Sequence, residues 1–210
     1  MKKVNLGCGS SIINSWINID SSFNVTLSKF PILKKILFKL HIISKSVYDS
    51  QFPSTVIRHD VTKGLPLASD SVDYIYSSHL LEHIKRSDSE KVLAECHRVL
   101  KKGGIIRLVV PDLTIITTQY VNGVINADQF IQLLNLNEFN TNKTLVERMF
   151  PSFFIKDIHK WMYDFESLYD LLKNTGFEKI EKMNFQVGNV PDITILDNRQ
   201  EISLYLEAEK

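Results

Sequence analysis

The sequence predicts an α/β fold, a parallel-rich sheet with helices on both faces, and three observations carry that expectation. Apolar segments of strand length alternate with segments of helical period along all 210 residues. The first apolar segment, Val4-Asn5-Leu6, runs straight into Gly7-Cys8-Gly9. A strand followed by Gly-x-Gly lets the backbone approach a ligand with no Cβ in the way and aims free N–H groups at it. The next short apolar segment, Trp16-Ile17-Asn18-Ile19, ends in Asp20, where an acidic side chain leaving a second strand binds ribose hydroxyls.

Taken in chain order, strands are expected at about 3–7 and 17–20. A helix is expected over about 29–42, because apolar residues at 33, 36, 37 and 40 share one face while Lys34, Lys35 and Lys39 fall mostly off it. Strands follow at about 56–59 and 72–77, then a helix at 88–101 and a strand at 104–110. Lys101-Lys102-Gly103-Gly104 reads as a helix end, with basic residues favourable against the dipole and glycine at the left-handed cap. Further helices are expected at 127–136, 142–149 and 166–175, with closing strands near 178–187 and 201–208. No convincing helix separates those last two, so an antiparallel edge hairpin is expected.

Composition fits one catalytic domain over 1–210. The chain is 44% hydrophobic, enough to bury a core without disulfides, and its net charge of +1 gives no electrostatic case for nucleic acid as a partner. The two cysteines, Cys8 and Cys96, lack metal-ligand spacing and suggest a reducing compartment. No signal peptide is read at the N-terminus, and no apolar run approaches the ~18–20 residues that span a bilayer. The expected location is the cytoplasm.

Two segments exceed a minimal sheet. Residues 23–50 hold the lysine-flanked helix, and no acidic residue occurs from 21 to 48. Such a helix packs over the cofactor cleft with its lysines solvated, which is the expectation, or makes weak contact with a membrane surface through 29–43. Residues 113–165 form the substrate-side segment, in which Phe150, Phe153, Phe154 and Trp161 either stack on a ring or cap the core.

The glycine pattern argues against a dinucleotide site, since Ile12 stands where the third glycine would be, and no Gly-Lys-Ser/Thr provides a P-loop. Downstream lie Ile57-Arg58-His59-Asp60-Val61, Gly64-Leu65-Pro66-Leu67, Asp70 through Tyr76-Ser77-Ser78-His79-Leu80-Leu81-Glu82-His83, Arg98-Val99-Leu100-Lys101-Lys102-Gly103-Gly104, and Ile105 to Asp112. In this order the motifs resemble class I S-adenosylmethionine-dependent methyltransferases, over residues 4–112 and again from His159-Lys160-Trp161-Met162-Tyr163-Asp164 to Gly176-Phe177. Ser15 and Lys102 depart from a glycine and a proline of the pattern, and the short Gly9–Asp20 interval leaves room for barely one helical turn.

The resemblance implies a Rossmann-like, seven-stranded, mostly parallel sheet of order 3-2-1-4-5-7-6 and S-adenosylmethionine as cofactor. Asn5, Leu6, Gly7, Cys8 and Gly9 would face its methionine portion, Asp20 its ribose, Asp60 and the Val61 N–H its adenine, and Ser77 its sulfonium. Four side chains compete to take a proton from the acceptor: His79, His159, Asp112 and Tyr163. His83 and Glu82 look like an inward-packing helix start. The implied reaction is methyl transfer to the oxygen or nitrogen of a small-molecule or saccharide-linked acceptor. The alternative is a non-catalytic cofactor-binding module that regulates or scaffolds a partner enzyme.

Overall fold

A computed structural model describes residues 1–136 and 158–210. Its seven strands are β1 (Lys3–Leu6), β2 (Ile17–Asp20), β3 (Ile57–Arg58), β4 (Val72–Ser78), β5 (Leu100–Pro111), β6 (Glu178–Met183) and β7 (Ser203–Glu209). They form one sheet in the order β3-β2-β1-β4-β5-β7-β6. β1 lies parallel between β2 and β4, with Leu6 opposite both Ile19 and Ser77. β7 runs antiparallel to β5 and β6, the expected edge hairpin.

Side-chain alternation along the strands builds two cores. On one face Val4, Leu6, Ile75, Ile106, Leu108, Leu204 and Leu206 pack with α4 (Arg86–Val99) and α7 (Phe165–Asn174), which contribute Val92, Leu93, Cys96, Leu168, Leu171 and Leu172. On the other, Tyr76, Val109 and Tyr205 pack with Trp16, Val190 and Leu196, the last from α8 (Ile193–Leu196). α7 starts sharply because Asp164 and Ser167 cap one another reciprocally.

Several local expectations are revised. Among the described residues no helix joins β1 to β2; turns fill that interval. Residues 23–50 fold as three short helices, α1 (Phe23–Leu27), α2 (Pro31–Lys39) and α3 (Lys45–Asp49). α2 has the opposite facing to that expected. Ile32, Leu33, Ile36 and Leu40 are exposed, whereas Lys34 is buried with its ammonium on the Ser50 carbonyl. Val25, Phe52 and Val56 form the small core that covers Cys8 instead.

α4 ends at Val99, capped at Leu100, and Lys101 to Gly104 belong to β5. Gly103, at φ +76°, turns an irregularity in that strand, where the β4 register shifts between Val72 and Tyr74. Lys101 pairs with Asp73 at 2.8 Å. α5 (Leu113–Val121) was not expected; its sequence, Leu-Thr-Ile-Ile-Thr-Thr, has β-branched residues that favour strand, and Asp112 overrides them by capping Thr114 N at 2.9 Å. α6 (Ala127–Leu134) opens with an Asn126–Gln129 capping box. The expected helix at 142–149 and Phe150, Phe153 and Phe154 lie outside the described residues. No described helix is long and apolar enough to cross a membrane.

Candidate active site at the carboxyl edge of the sheet

Parallel strands deliver their carboxyl ends to one edge, and the order 3-2-1-4 reverses direction between β1 and β4. A crevice opens at such a switch point, and ligands of α/β sheets bind there. The glycine turn after β1 lies on one side of it. Ser77 to His79, ending β4, lie on the other.

Gly7 and Gly9 both adopt positive φ, +65° and +49°. A Cβ on Gly7 would stand 3.0 to 3.3 Å from the Leu80 side chain, so glycine lets the β4 loop close on the β1 turn. A Cβ on Gly9 would meet nothing within 4 Å. That open space is what a ligand approaching the backbone requires. The expected free N–H groups are absent from this turn, however. Gly7 N and Cys8 N both donate to Ile19 O, at 2.8 and 3.2 Å, and Gly9 N donates to Asp20 Oδ2 at 2.9 Å. A ligand would therefore meet the glycine Cα face of the turn.

Asn5 is buried and turns its side chain to the loop: Nδ2 donates to Ser11 O at 2.8 Å and to Asn18 Oδ1 at 3.2 Å. Asn18 holds the same loop through Ile13 O and Trp16 O, both at 2.9 Å. Asn18 was not among the expected site residues, although a polar residue between Ile17 and Ile19 is its signal in the sequence. Burial pushes the Cys8 thiol up to about 12, and the nearby Asp20 carboxylate adds to this.

Asp20 is nearly buried. Besides Gly9 N it accepts Ser22 N on Oδ1 at 2.7 Å. Two of its roughly four acceptor positions remain for hydroxyl donors. Asp60 lies half exposed after β3, accepting the Thr62 N–H at 3.1 Å and hydroxyl at 2.7 Å. Burial works to raise its carboxyl, but the Thr62 hydrogen bonds and Lys63 outweigh that and hold it below the usual range. Val61 is buried in the main core. Ser77 Oγ is buried and has no hydrogen-bond partner among the described residues.

The four acid–base candidates separate clearly. Tyr163 is fully buried in the main core, where its hydroxyl donates to Ser89 Oγ at 2.9 Å. Asp112 is buried as the cap of α5 and bridges to Tyr163. In these placements both side chains are buried and engaged, Asp112 in capping α5 and Tyr163 in the core. His79 and His159 keep partial exposure.

His79 turns away from β4 at φ +51°, its N–H held by Val109 O at 2.9 Å. Its Nδ1 stands 2.9 Å from Glu82 Oε1, in an ion-pair contact lacking hydrogen-bond alignment, and its Nε2 is 3.4 Å from Ser203 Oγ. His159 donates from Nδ1 to Leu134 O at 2.9 Å. Burial outweighs the Glu82 charge and holds its imidazole below the ordinary value. The rings of His159 and His83 meet edge-on at 5.0 Å. Lys160 N and Trp161 N both point at Glu82 O, at 2.6 and 3.3 Å, which draws this segment onto the turn Leu81–His83. Glu82 and His83, set aside on sequence, thus lie at the centre of the cluster.

The methyltransferase-domain family profile matches residues 4–108, half of the chain. A "Probable S-adenosylmethionine-dependent methyltransferase" of Mycolicibacterium smegmatis is 27% identical over 103 residues, covering 46% of this chain and 39% of its own length. The chain therefore spans about two fifths of that curated relative. Among solved structures, a SAM-dependent methyltransferase from Archaeoglobus fulgidus superposes with TM-score 0.53 at 15% identity, covering all of this chain and 86% of that one. A Methanosarcina mazei SAM-dependent methyltransferase gives TM-score 0.52 at 14% identity, covering 100% and 92%. At such identities the two structures establish the fold, and the profile, spanning the strands and turns just described, establishes that this chain belongs to the methyltransferase-domain family.

Proposed function

We propose that this protein transfers a methyl group from S-adenosylmethionine to the oxygen or nitrogen of a small-molecule or saccharide-linked acceptor. The observation that carries this reading is one juxtaposition. The open glycine turn of β1, Asp20 of β2, Asp60 of β3 and the orphan Ser77 hydroxyl of β4 share one sheet edge at its switch point. In that crevice Asp20 would take the ribose hydroxyls, and Asp60 with Val61 the adenine. The Gly7–Gly9 Cα face would take the methionine portion, with Ser77 near the sulfonium.

A sulfonium methyl is already activated, so the residues need mainly to align the acceptor at ~3–3.5 Å and exclude water. An oxygen acceptor also gives up a proton. His79 is placed to take it, partly exposed at the exit of β4 with Glu82 Oε1 2.9 Å from its Nδ1.

Calorimetry with S-adenosylmethionine, S-adenosylhomocysteine and NADH tests the cofactor. Micromolar binding of the two sulfur ligands, no binding of NADH, and loss in Asp20→Ala support the reading; failure of both sulfur ligands to bind overturns it. The outward stripe of α2, flanked by exposed Lys29, Lys35 and Lys39, further supports weak contact with an anionic membrane surface through 29–43. Failure to sediment with anionic liposomes at low salt would remove that contact.

A further inference from the structure

Glu82 presents a physical problem that the methyl-transfer reading leaves unsolved. Its side chain is wholly buried, and among the described residues neither carboxylate oxygen has a hydrogen-bond partner. A buried carboxylate without donors is strongly unfavourable unless a positive charge compensates it. His79 approaches Oε1 but is not aligned to donate. Oε2 has no donor among the described residues.

Two other imidazoles surround this carboxylate, and both carry the same arrangement. His83 Nδ1 lies 3.2 Å from Ile158 O, and His159 Nδ1 lies 2.9 Å from Leu134 O. A carbonyl only accepts, so each Nδ1 is the donor, which in a neutral imidazole leaves Nε2 as the ligand atom. Metal-bound histidines are oriented in this way, by giving their other ring N–H to a carbonyl or carboxylate. One ligand atom from each of Glu82, His83 and His159 lies within 4.8 Å of the others. Zinc takes imidazole nitrogen at ~2.0–2.1 Å and carboxylate oxygen at ~2.0–2.2 Å, so small rotamer adjustments close the set.

We propose that Glu82, His83 and His159 form a binding site for a divalent first-row metal ion of the zinc class, a two-histidine, one-carboxylate set with coordination positions left open. The ligand types select the ion. Imidazole favours Zn(II) and its neighbours, whereas Mg(II) and Ca(II) prefer oxygen alone. Cys8 and Cys96 are buried with their thiols held protonated, and they do not compete for it. His79 stands on the Oε1 side of the carboxylate, and Oε2 is the oxygen offered to the ion. The site stands on these three side chains and does not depend on which cofactor the β1–β4 crevice holds.

The test uses the full chain, stripped with a chelator and dialysed. Zn(II) is titrated by calorimetry, Co(II) by visible absorption, and Mg(II) serves as the control. The expected result is one Zn(II) per chain at micromolar affinity or tighter, with no Mg(II) heat. Co(II) should show a d–d spectrum without thiolate charge transfer. Glu82→Gln and His159→Gln, each with wild-type circular dichroism, should weaken Zn(II) at least ~10-fold. His83→Gln replaces either variant that fails to fold. Absence of stoichiometric Zn(II) binding by the wild-type chain overturns the proposal. So does unchanged affinity in a folded variant, or a thiolate–cobalt band that places the ion on cysteine.

Discussion

Gly9 donates its backbone N–H to Asp20 Oδ2 at 2.9 Å, tying the glycine turn after β1 to the end of β2. Asp20 therefore has two duties, since the carboxylate that is placed for a ribose also holds the turn that faces the ligand. Its second oxygen accepts Ser22 N at 2.7 Å and starts the chain toward α1. Asp20→Ala leaves the part-buried Gly9 N–H and the buried Ser22 N–H without their acceptor, at about 1–3 kcal/mol for a group that stays unsolvated. Asp20→Asn restores one acceptor but sets its amide against the other donor. Thermal melts should rank wild type above Asn and Asn above Ala. Calorimetry should find S-adenosylmethionine weakened at least ~10-fold in both. An Asp20→Asn protein that binds normally would limit Asp20 to holding the turn.

Gly7 and Gly9 separate the fold's requirement from the ligand's. Alanine at Gly7 combines a left-handed backbone, costing ~1–2 kcal/mol, with a Cβ pressed on Leu80. Alanine at Gly9 incurs the backbone cost alone, because its Cβ enters open space. Gly7→Ala should therefore lower the melting temperature more. Gly9→Ala should stay closer to wild type in stability yet bind the cofactor at least ~10-fold more weakly, because its methyl fills the face the ligand approaches. Unchanged binding by Gly9→Ala would place the ligand elsewhere on the edge.

What the sequence disclosed and what it withheld follow from the range of the interactions involved. The strands and their exits were legible in local motifs, from Val4-Asn5-Leu6-Gly7 to the segment 105–111, while the strand order came from the family resemblance that those motifs carry in sequence. The outward stripe of α2 was not legible. Periodicity at 33, 36, 37 and 40 defines a face but not what it faces, and burial of Lys34 against Ser50 O is decided in three dimensions. Asp112 and Tyr163 carry types suited to proton transfer, yet α5 and Ser89 claim them. His159 meets Glu82 and His83 through long-range bonds, its own to Leu134 O and Asn135 O and those of Lys160 and Trp161 to the Glu82 carbonyl. No spacing rule encodes a contact formed that way.

Arg107 anchors the second face of the sheet with a fully buried guanidinium. It donates to Asp197 Oδ2 at 2.6 Å, Asp197 Oδ1 at 3.2 Å and Glu207 Oε1 at 3.1 Å, and to the Val187 and Asn184 carbonyls at 3.0 Å. Every edge of the fork is used. Arg107→Leu leaves two carboxylates buried without their cation, a loss of about 3–5 kcal/mol. At about 2–4 °C per kcal/mol for a chain of this size, the melting temperature should fall by roughly 6–20 °C. Arg107→Lys carries the charge but not the fork, and should melt between the two. A loss below about 1 kcal/mol for Arg107→Leu would mean that water reaches Asp197.

Glu95 gives the acid limb of stability a specific residue. Arg98 grips its carboxylate through Nε at 2.7 Å and Nη2 at 2.8 Å, and Leu65 N adds a bond at 2.8 Å. The Arg98 bonds, chiefly, hold the carboxyl at about 2, below the 4.5 it has when free. The folded state thus binds the proton less readily than the unfolded chain. The stabilisation is complete above about 4.5 and is lost as the pH falls toward 2. Glu95→Gln removes that titration and weakens the Arg98 pair at every pH. The gap in urea midpoint between wild type and Glu95→Gln should be constant from pH 7 to 5, shrink below about 4.5, and close near 2. Subtracting the two curves cancels the other carboxylates, so a gap independent of pH would show that Arg98 does not hold Glu95 in solution.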